Sequence, residues 1–185
     1  MTKAGEKRAR LVNAAKMMIH RQGFNKTTLV HIARQSGVPL GNVYYYFKTK
    51  DEIASAAIQE RRQSIKSAAE KWEQNPDPRK RLLSFLGMVE DMRQTISKYG
   101  CPVGSLCQEL DKNRTDLTNN ADETLHWMIN WASGQFLLMG KENAAELGLQ
   151  LVTILQGASL IAHALQDPDI ISRQIHQTRT WLQTL

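Results

Sequence analysis

The chain has 185 residues, of which 42% are hydrophobic and 23% charged, a composition typical of a soluble globular protein. No window approaches the roughly 18 uninterrupted apolar residues that a membrane span needs, and no apolar stretch of a signal peptide follows the first residues. With only two cysteines, the disulfide framework of a small secreted protein is excluded. We therefore expect a cytoplasmic protein that does not enter a membrane.

The net charge of +6 is distributed unevenly along the chain. Residues 1–50 carry ten Lys and Arg but a single acid, Glu6, whereas residues 51–185 carry fourteen Lys and Arg against seventeen acids. The first segment therefore has a net charge of +9 and the second of −3. A basic head on a mildly acidic body is typical of a polyanion-binding module attached to another domain; the alternative is a solvated basic surface.

Three short helices are predicted in the basic head. The first has an apolar stripe and ends at Gly23, a residue type common at helix C-termini. The second begins after Thr27 and Thr28, either of which can cap it, and runs to Gly37, where positive φ permits a sharp turn. The third follows, with Pro39 in its first turn.

A long fourth helix is predicted to connect the head to the body. Thr49 and Glu52 form a capping box, and the helix that they open can extend to about Asn75, before two prolines end it. No flexible linker marks a domain boundary, so we place the boundary inside this helix, at about residues 50–75. The predicted domains are residues 1–50 and 51–185.

The body is predicted to be helical throughout, because apolar residues recur at helical spacing and strand signals are almost absent. The predicted fold class is therefore all-α, with an N-terminal three-helix head and a larger C-terminal helical domain. The predicted helices of the body lie at about residues 78–98, 103–112, 118–139, 142–166 and 168–184.

The head contains the parts of a helix-turn-helix. In such a unit the second helix of the pair enters the major groove of B-DNA, while the preceding helix braces it. This arrangement needs a small buried residue in the bracing helix, a glycine in the turn and apolar anchors beneath the second helix. Ala33, Gly37, Val43 and Phe47 meet these needs, so the sequence indicates double-stranded DNA as the partner.

Residues 27–53 read TTLVHIARQSGVPLGNVYYYFKTKDEI, a run that resembles the signature of the TetR family of bacterial regulators. The matching features are a Thr pair, Ile-Ala, a Gly-Val turn, Gly-x-x-Tyr-x-x-Phe, then Lys and an acidic residue. The resemblance implies a homodimeric repressor that leaves a palindromic operator when a small molecule binds its C-terminal domain. Pro39 and Leu40 depart from the family pattern, in which small polar residues are common at these positions.

The resemblance implies DNA-contacting roles for residues of the head. Thr28 would donate to a phosphate, Tyr44 would press against the backbone, and Lys50 would pair with a phosphate. Asn42 would lie near the bases, and an Asn side chain can form a bidentate pair with adenine. For the tyrosines the alternative is core packing. The predicted DNA-binding residues are Thr27, Thr28, Leu40, Gly41, Asn42, Tyr44, Tyr45, Tyr46 and Lys50, with Gly41, Asn42, Tyr45 and Tyr46 nearest the bases.

A small-molecule pocket is predicted in the body. Residues 125–139 have apolar side chains on most sides of their helix, which is typical of a buried helix. Two methionines on the preceding long helix add adaptable side chains. The alternative is ordinary core packing. As a group, and together with the resemblance, these features favour a pocket. The residues predicted to line it are Met88, Met92, Cys101, Trp127, Trp131 and Phe136.

The last two helices are predicted to form the dimer interface. The small residues Gly157, Ala158 and Ala162 lie among leucines and isoleucines, and small side chains let helices approach closely. The final helix also has apolar residues at helical spacing. The resemblance implies a four-helix bundle made of these two helices from each protomer. The alternative is a hairpin buried within one protomer.

No catalytic or metal-binding pattern is found in the sequence. It has no nucleophile elbow, phosphate loop or paired carboxylates, and its histidines lack zinc-like spacing, so we expect no enzyme, metal or cofactor. Two other switches remain open. Cys101, just ahead of a helix N-terminus that would stabilise a thiolate, is a candidate for modification, or else a small residue at a tight turn. The other switch is a protein partner in place of the small molecule.

Overall fold

The computed structural model describes residues 3–111 and 116–185, and within them it has ten α-helices and no β-strand. The all-α class predicted from the sequence is therefore confirmed. The helices are α1 Lys3–Gln22, α2 Leu29–Ser36, α3 Leu40–Tyr46, α4 Lys50–Trp72, α5 Pro78–Asp91, α6 Arg93–Tyr99, α7 Gly104–Asp111, α8 Asp116–Leu138, α9 Ala144–Leu165 and α10 Asp169–Thr184.

The helices of the head begin and end at the predicted capping residues. Gly23 follows α1 with a φ of 84° and Gly37 follows α2 with a φ of 64°, both in the left-handed region that favours glycine. Thr28 caps α2, because its hydroxyl oxygen accepts the His31 N–H at 3.2 Å. Pro39 immediately precedes the first residue of α3. These local signals therefore set the limits of the helix-turn-helix.

The predicted capping box opens α4. The Thr49 hydroxyl oxygen accepts the Glu52 N–H at 3.1 Å, and the Glu52 carboxylate accepts the Lys48 N–H at 2.7 Å. The helix ends at Trp72, three residues before the predicted end at Asn75. The predicted start is confirmed, and the predicted end is close.

The single helix predicted over residues 78–98 is wrong, because α5 and α6 are separate helices. Met92 interrupts them with φ −90° and ψ −1°, and its N–H donates to Val89 O at 3.1 Å, a tighter turn than that of an α-helix. The Arg93 guanidinium donates to Glu90 O at 3.2 Å and so satisfies a carbonyl at the helix end. No Pro or Gly lies at residues 90–95 to announce this break.

Two compact units divide the chain, and their limits differ from those of the predicted domains. Unit 1 comprises Met1–Ser64 and Ser105–Asp122, and unit 2 comprises Ile65–Gly104 and Glu123–Leu185. Unit 1 thus includes most of α7, which the predicted head omitted. Residue 112, predicted as the last of that helix, lies outside the described residues.

The core of unit 2 is built from the inward faces of α5, α8, α9 and α10. Burying these side chains removes their apolar surface from water, which is the main force that holds helices of this kind together. Large side chains that are almost completely buried in this core include Leu82, Phe85, Leu86, Phe136, Leu151, Leu155, Ile171 and Ile175.

Helix α9 is long and apolar enough to cross a membrane, judged by length and composition alone. Within the segment that meets this test, 44% of the residues are buried inside the protein, and Leu151 and Leu155 among them belong to the core. Because the core helix of a soluble protein meets the same test, a single helix of this kind is weak evidence of a membrane span.

Candidate nucleic-acid interface

Two buried side chains hold α3 in the head. Val43 is 0% exposed and Phe47, directly after the helix, is 3% exposed. The Arg8 guanidinium lies 5.2 Å from the centre of the Phe47 ring, within the range of a cation–π contact. At the other end of the helix, Leu40 is at the surface, 36% exposed. The helix is therefore fixed from beneath and has a free outer face.

The outer face of α3 presents polar and aromatic groups to solvent. Tyr45 is 77% exposed, Tyr44 is 46% exposed, and Gly41 and Asn42 are also exposed. Apart from its chain neighbours and the backbone of its own helix, no described atom lies within 4 Å of where a Cβ would stand at Gly41. The rings of Tyr45 and Tyr46 meet edge to face, with their centres 5.1 Å apart. The structure thus brings the predicted base-reading residues onto one accessible surface, and their contact with bases stays a prediction.

The two neighbouring threonines before α2 have different surroundings. Thr28 is exposed, and its hydroxyl accepts the His31 N–H, which leaves its own O–H available to donate to a phosphate. Thr27 is 0% exposed, and its hydroxyl donates to Gly23 O at 2.6 Å. Thr27 therefore closes the α1–α2 turn from inside and presents no side-chain surface to DNA. The prediction that the Thr27 side chain contacts DNA is therefore corrected: its role is in the turn.

Lys50 lies at the N-terminus of α4 and contacts the α1–α2 turn. Its ammonium donates to Phe24 O at 3.2 Å and lies 4.0 Å from the centre of the Phe24 ring. An ammonium has three N–H donors, so this contact leaves others for a phosphate. Lys50 is partly exposed, in keeping with that role.

Sequence reasoning missed a contact that joins α1 to the end of α2. The Arg10 guanidinium donates from Nε at 3.1 Å and from Nη2 at 2.5 Å to the carbonyl of Ser36, which precedes the turn at Gly37. A forked, charge-assisted pair of this kind holds a carbonyl firmly. The sequence indicates only that Arg10 is one of the basic residues of the head, because no local pattern links residues 26 apart in the chain.

Two of the predicted pocket residues, Trp131 and Phe136, belong to the core of unit 2, being 9% and 0% exposed respectively. The Trp131 ring lies 5.4 Å from that of Trp72 and 5.7 Å from that of Phe85, measured between ring centres. Its Nε1–H donates to the Glu73 carboxylate at 2.8 Å. The contacts of Trp131 and the complete burial of Phe136 favour the alternative, core packing, for both side chains.

The other predicted pocket residues are only partly buried. Met88, Met92 and Trp127 pack against the core, and the Trp127 ring centre is 6.4 Å from that of Trp131. Cys101 lies between α6 and α7, where its sulfur accepts the Gly104 N–H at 3.4 Å. Whether these four residues contact a small molecule stays a prediction.

The expectation that residues 125–139 form a buried helix, apolar on most sides, is wrong at the end of α8. Leu137 is 68% exposed and Leu138 is 65% exposed, although Phe136 beside them is fully buried. One side of this last turn therefore packs against the core while the other faces solvent.

Helix α9 has apolar side chains on two faces. Ala158 and Ala162 are buried within the protomer, with 7% and 0% exposure, so these two small residues pack inside unit 2. The opposite face is accessible; the exposed Glu146, Gln150 and Thr153 lie in its N-terminal half, and its C-terminal half is apolar. Its large exposed side chains are Leu149 at 53%, Leu160 at 56%, Ile161 at 51% and Leu165 at 67%.

The chain is similar to known regulators over the head and beyond it. Residues 11–57 match the model of the bacterial regulatory proteins of the tetR family. Over 132 residues the chain is 30% identical to the HTH-type transcriptional regulator LmrA of Bacillus subtilis, a match that covers 70% of this chain and 69% of that protein.

The whole fold is similar to solved structures of the same kind. A TetR-family regulator from Streptomyces coelicolor, SCO4454, has a TM-score of 0.83 at 18% identity, covering 97% of this chain and 96% of that one. A TetR regulator from Legionella pneumophila has a TM-score of 0.82 at 18% identity, covering 90% and 92%. At such identities the likeness concerns the fold alone. Taken with the motif, the exposed α3 and the match to LmrA, it leads to one conclusion: the chain belongs to the tetR family of bacterial regulatory proteins and is a helix-turn-helix transcription regulator, not an enzyme.

Proposed function

We propose that the protein is a homodimeric repressor that binds a palindromic operator through α3 of each protomer. The observation that carries this proposal is the outer face of α3, where Asn42 and Tyr45 are exposed while Val43 and Phe47 fix the helix from beneath. A helix presented in this way is suited to the major groove. Because the operator lies in the cytoplasm, we place the protein there.

Contacts to the DNA backbone come from the surroundings of α3. Residues 1–50 carry a net charge of +9, which attracts the phosphates of any duplex. Thr28 and Lys50 each have a donor left over from their contacts within the head, and the half-exposed Tyr44 ring can press on the sugar-phosphate chain. These residues position α3 on the DNA, and the residues of its outer face recognise the base sequence of the operator.

Selection of operators from random DNA tests the proposal directly. The wild-type protein is expected to select two related half-sites in inverted orientation, about one helical turn apart or a multiple of it. Asn42→Ala should select the same site with one base pair relaxed in each half, because a bidentate pair is worth about 1–3 kcal/mol of discrimination. Asn13→Ala, an exposed Asn on α1, is the matched control and should select the wild-type site. A single asymmetric site, or an Asn42→Ala preference identical to that of wild type, would contradict this reading of α3.

Dimerisation is proposed through the accessible face of α9. Leu160, Ile161 and Leu165 lie close together at the C-terminal end of α9, and a monomer would leave these apolar side chains, like that of Leu149 nearer its start, in water. Gly157 lies on the same side of the helix, and apart from its chain neighbours and the backbone of its own helix no described atom lies within 4 Å of where its Cβ would stand. A partner helix can therefore approach α9 closely at this point. The buried residues of α10 pack inside unit 2, so α9 is the larger contributor to the interface.

Release from the operator is proposed to follow the binding of a small apolar molecule to unit 2. The support is the set of partly exposed side chains, Met88, Met92 and Trp127, that pack against its core. Methionine adapts to ligands of varied shape, and Trp offers a large flat surface. A panel of apolar compounds is expected to contain at least one that raises the melting temperature and lowers operator affinity, with both effects weakened in Trp127→Ala.

Modification of Cys101 is the second candidate for the release step. Cys101 is a partly buried residue whose sulfur accepts the Gly104 N–H at the start of α7, whereas Cys107 is buried. If thiol-reactive electrophiles release the operator from wild type but not from Cys101→Ser, while apolar compounds have no effect, the switch is the thiol. If neither class of compound acts on operator binding, a protein partner becomes the favoured switch.

A further inference from the structure

A carboxylate from a distant part of the chain holds the turn between α1 and α2. The Glu109 side chain on α7 accepts the Phe24 N–H at Oε2 and the Asn25 N–H at Oε1, each at 2.8 Å. These partners lie 85 and 84 residues away in sequence, and all three residues belong to unit 1. At Gly23 a Cβ would stand 2.9 Å from Glu109 Oε2, so the absence of a side chain there allows the carboxylate to come close.

The same turn is held from its other side by Lys50. The Phe24 carbonyl accepts the Lys50 ammonium at 3.2 Å and the Thr27 N–H at 3.1 Å. The Phe24 carbonyl and the Asn25 N–H belong to one planar peptide group. The Glu109 carboxylate and the Lys50 ammonium therefore bind opposite ends of a single peptide. Hydrogen bonds in such a chain polarise and strengthen one another, most of all when the outer groups are charged.

We propose that Glu109 is a positioning residue for operator binding, which holds the Lys50 ammonium in place for a DNA phosphate through the Phe24–Asn25 peptide. This inference rests on the proposed function, in which Lys50 contacts the DNA backbone. Glu109 fixes the peptide through two charge-assisted bonds, the peptide carbonyl fixes one N–H of Lys50, and the remaining N–H groups of Lys50 bind the phosphate.

The direction in which DNA affinity changes when Glu109 is removed distinguishes a positioning role from a simple charge effect. A carboxylate that contacts the basic head repels phosphates, so if Glu109 acted only through its charge, removing it would tighten binding to every DNA sequence. A positioning role predicts the opposite, because the loss of Glu109 frees the turn and with it Lys50. The number of phosphates neutralised should then fall, which is seen as a flatter dependence of affinity on salt.

The experiment measures operator affinity of the full-length protein over a range of salt concentrations. E109Q removes the charge and replaces one acceptor oxygen by a donor, while E109D keeps the charge but shortens the side chain by one methylene. Both are expected to weaken binding about tenfold, the loss of one charge-assisted contact, and to flatten the log–log salt slope by about 0.9. Glu60→Gln, an exposed carboxylate on α4 in the same unit, is the matched control and should bind DNA at least as tightly as wild type.

A double-mutant cycle with K50A links the two residues and separates the possible failures. If Glu109 acts through Lys50, the variant carrying both K50A and E109Q should bind no more weakly than K50A alone. If K50A itself has no effect on affinity or salt slope, the proposed phosphate contact of Lys50 is wrong. If K50A weakens binding but E109Q adds its full effect to it, or if E109Q tightens binding as Glu60→Gln does, the positioning role of Glu109 is overturned.

Gly23→Ala keeps the test valid if the Glu109 variants unfold. The added methyl group would meet the Glu109 carboxylate and should displace it, again flattening the salt slope. Gly140→Ala is the control for backbone strain, because Gly140 has a φ of 77°, close to the 84° of Gly23. Apart from its chain neighbours, no described atom lies within 4 Å of where its Cβ would stand. Gly140→Ala should lower the melting temperature and leave the salt slope unchanged, whereas an unchanged slope in a folded Gly23→Ala variant would refute the proposal.

Discussion

Replacing Leu160 with Glu is expected to convert the dimer into monomers and to lower operator affinity by roughly 100-fold or more. Leu160 is 56% exposed in the protomer and lies on the apolar outer face of α9. In a two-fold interface each dimer would bury two unpaired carboxylates, and burying a charge without a partner costs several kcal/mol. A monomer retains one reading helix and loses the gain in affinity that comes from binding two half-sites together.

Sedimentation at several protein concentrations, combined with operator titration, checks this result. Gln94→Glu adds the same charge at an exposed position of α6 and should leave both the dimer and operator affinity as in wild type. The melting behaviour of the monomer should show that unit 2 is still folded, because Leu160 is outside its core. A Leu160→Glu protein that stays dimeric and binds the operator normally would show that the interface lies on another surface.

The proposed dimer interface could be predicted only in part from the sequence. Apolar periodicity identified α9 as a helix that packs on more than one side, but it did not distinguish the side facing the core from the side facing solvent. Ala158 and Ala162, predicted for the dimer interface, are buried within the protomer, and the accessible face carries Leu160 and Ile161 instead. The C-terminal half of α9 has no polar stripe to mark its outside, so only the packing of neighbouring helices decides between its faces there.

The head was predicted more completely, because its signals are local. A glycine with positive φ, a threonine cap and a capping box each act over a few residues, and together they placed α1 to α3 and the start of α4. The prediction that Thr27 contacts DNA was wrong because the sequence cannot distinguish two neighbouring threonines. Only the three-dimensional structure of the turn shows that Thr27 is buried.

Contacts between distant residues escaped prediction. The bonds from Glu109 to the α1–α2 turn join residues more than 80 apart, and no periodicity or motif connects them. The same applies to the limits of unit 1, which includes most of α7 because of such contacts. The break at Met92 was missed because the residues around it are all compatible with a helix.

Phe136 is expected to be a core residue and not part of a ligand pocket, so that Phe136→Ala should destabilise unit 2 by about 3–5 kcal/mol. The Phe136 side chain is 0% exposed, and its ring centre lies 5.9 Å from that of Trp181. Truncation would remove a large buried ring and leave a cavity that the surrounding core residues could fill only in part. Truncating a residue that lined a hydrated pocket would lower the stability far less, because its ring already contacts water in the folded protein.

Urea unfolding followed by tryptophan fluorescence isolates this effect. All four tryptophans, at positions 72, 127, 131 and 181, lie in unit 2, so the signal reports the unfolding of that unit. Protein concentration has to be held fixed, since dissociation of a dimer contributes to its apparent stability. His126→Ala, an exposed side chain on the same helix, is the control and should change stability by no more than about 0.5 kcal/mol. If Phe136→Ala is as stable as that control, Phe136 is not a core residue, and the pocket has to be sought around it instead of around Met88, Met92 and Trp127.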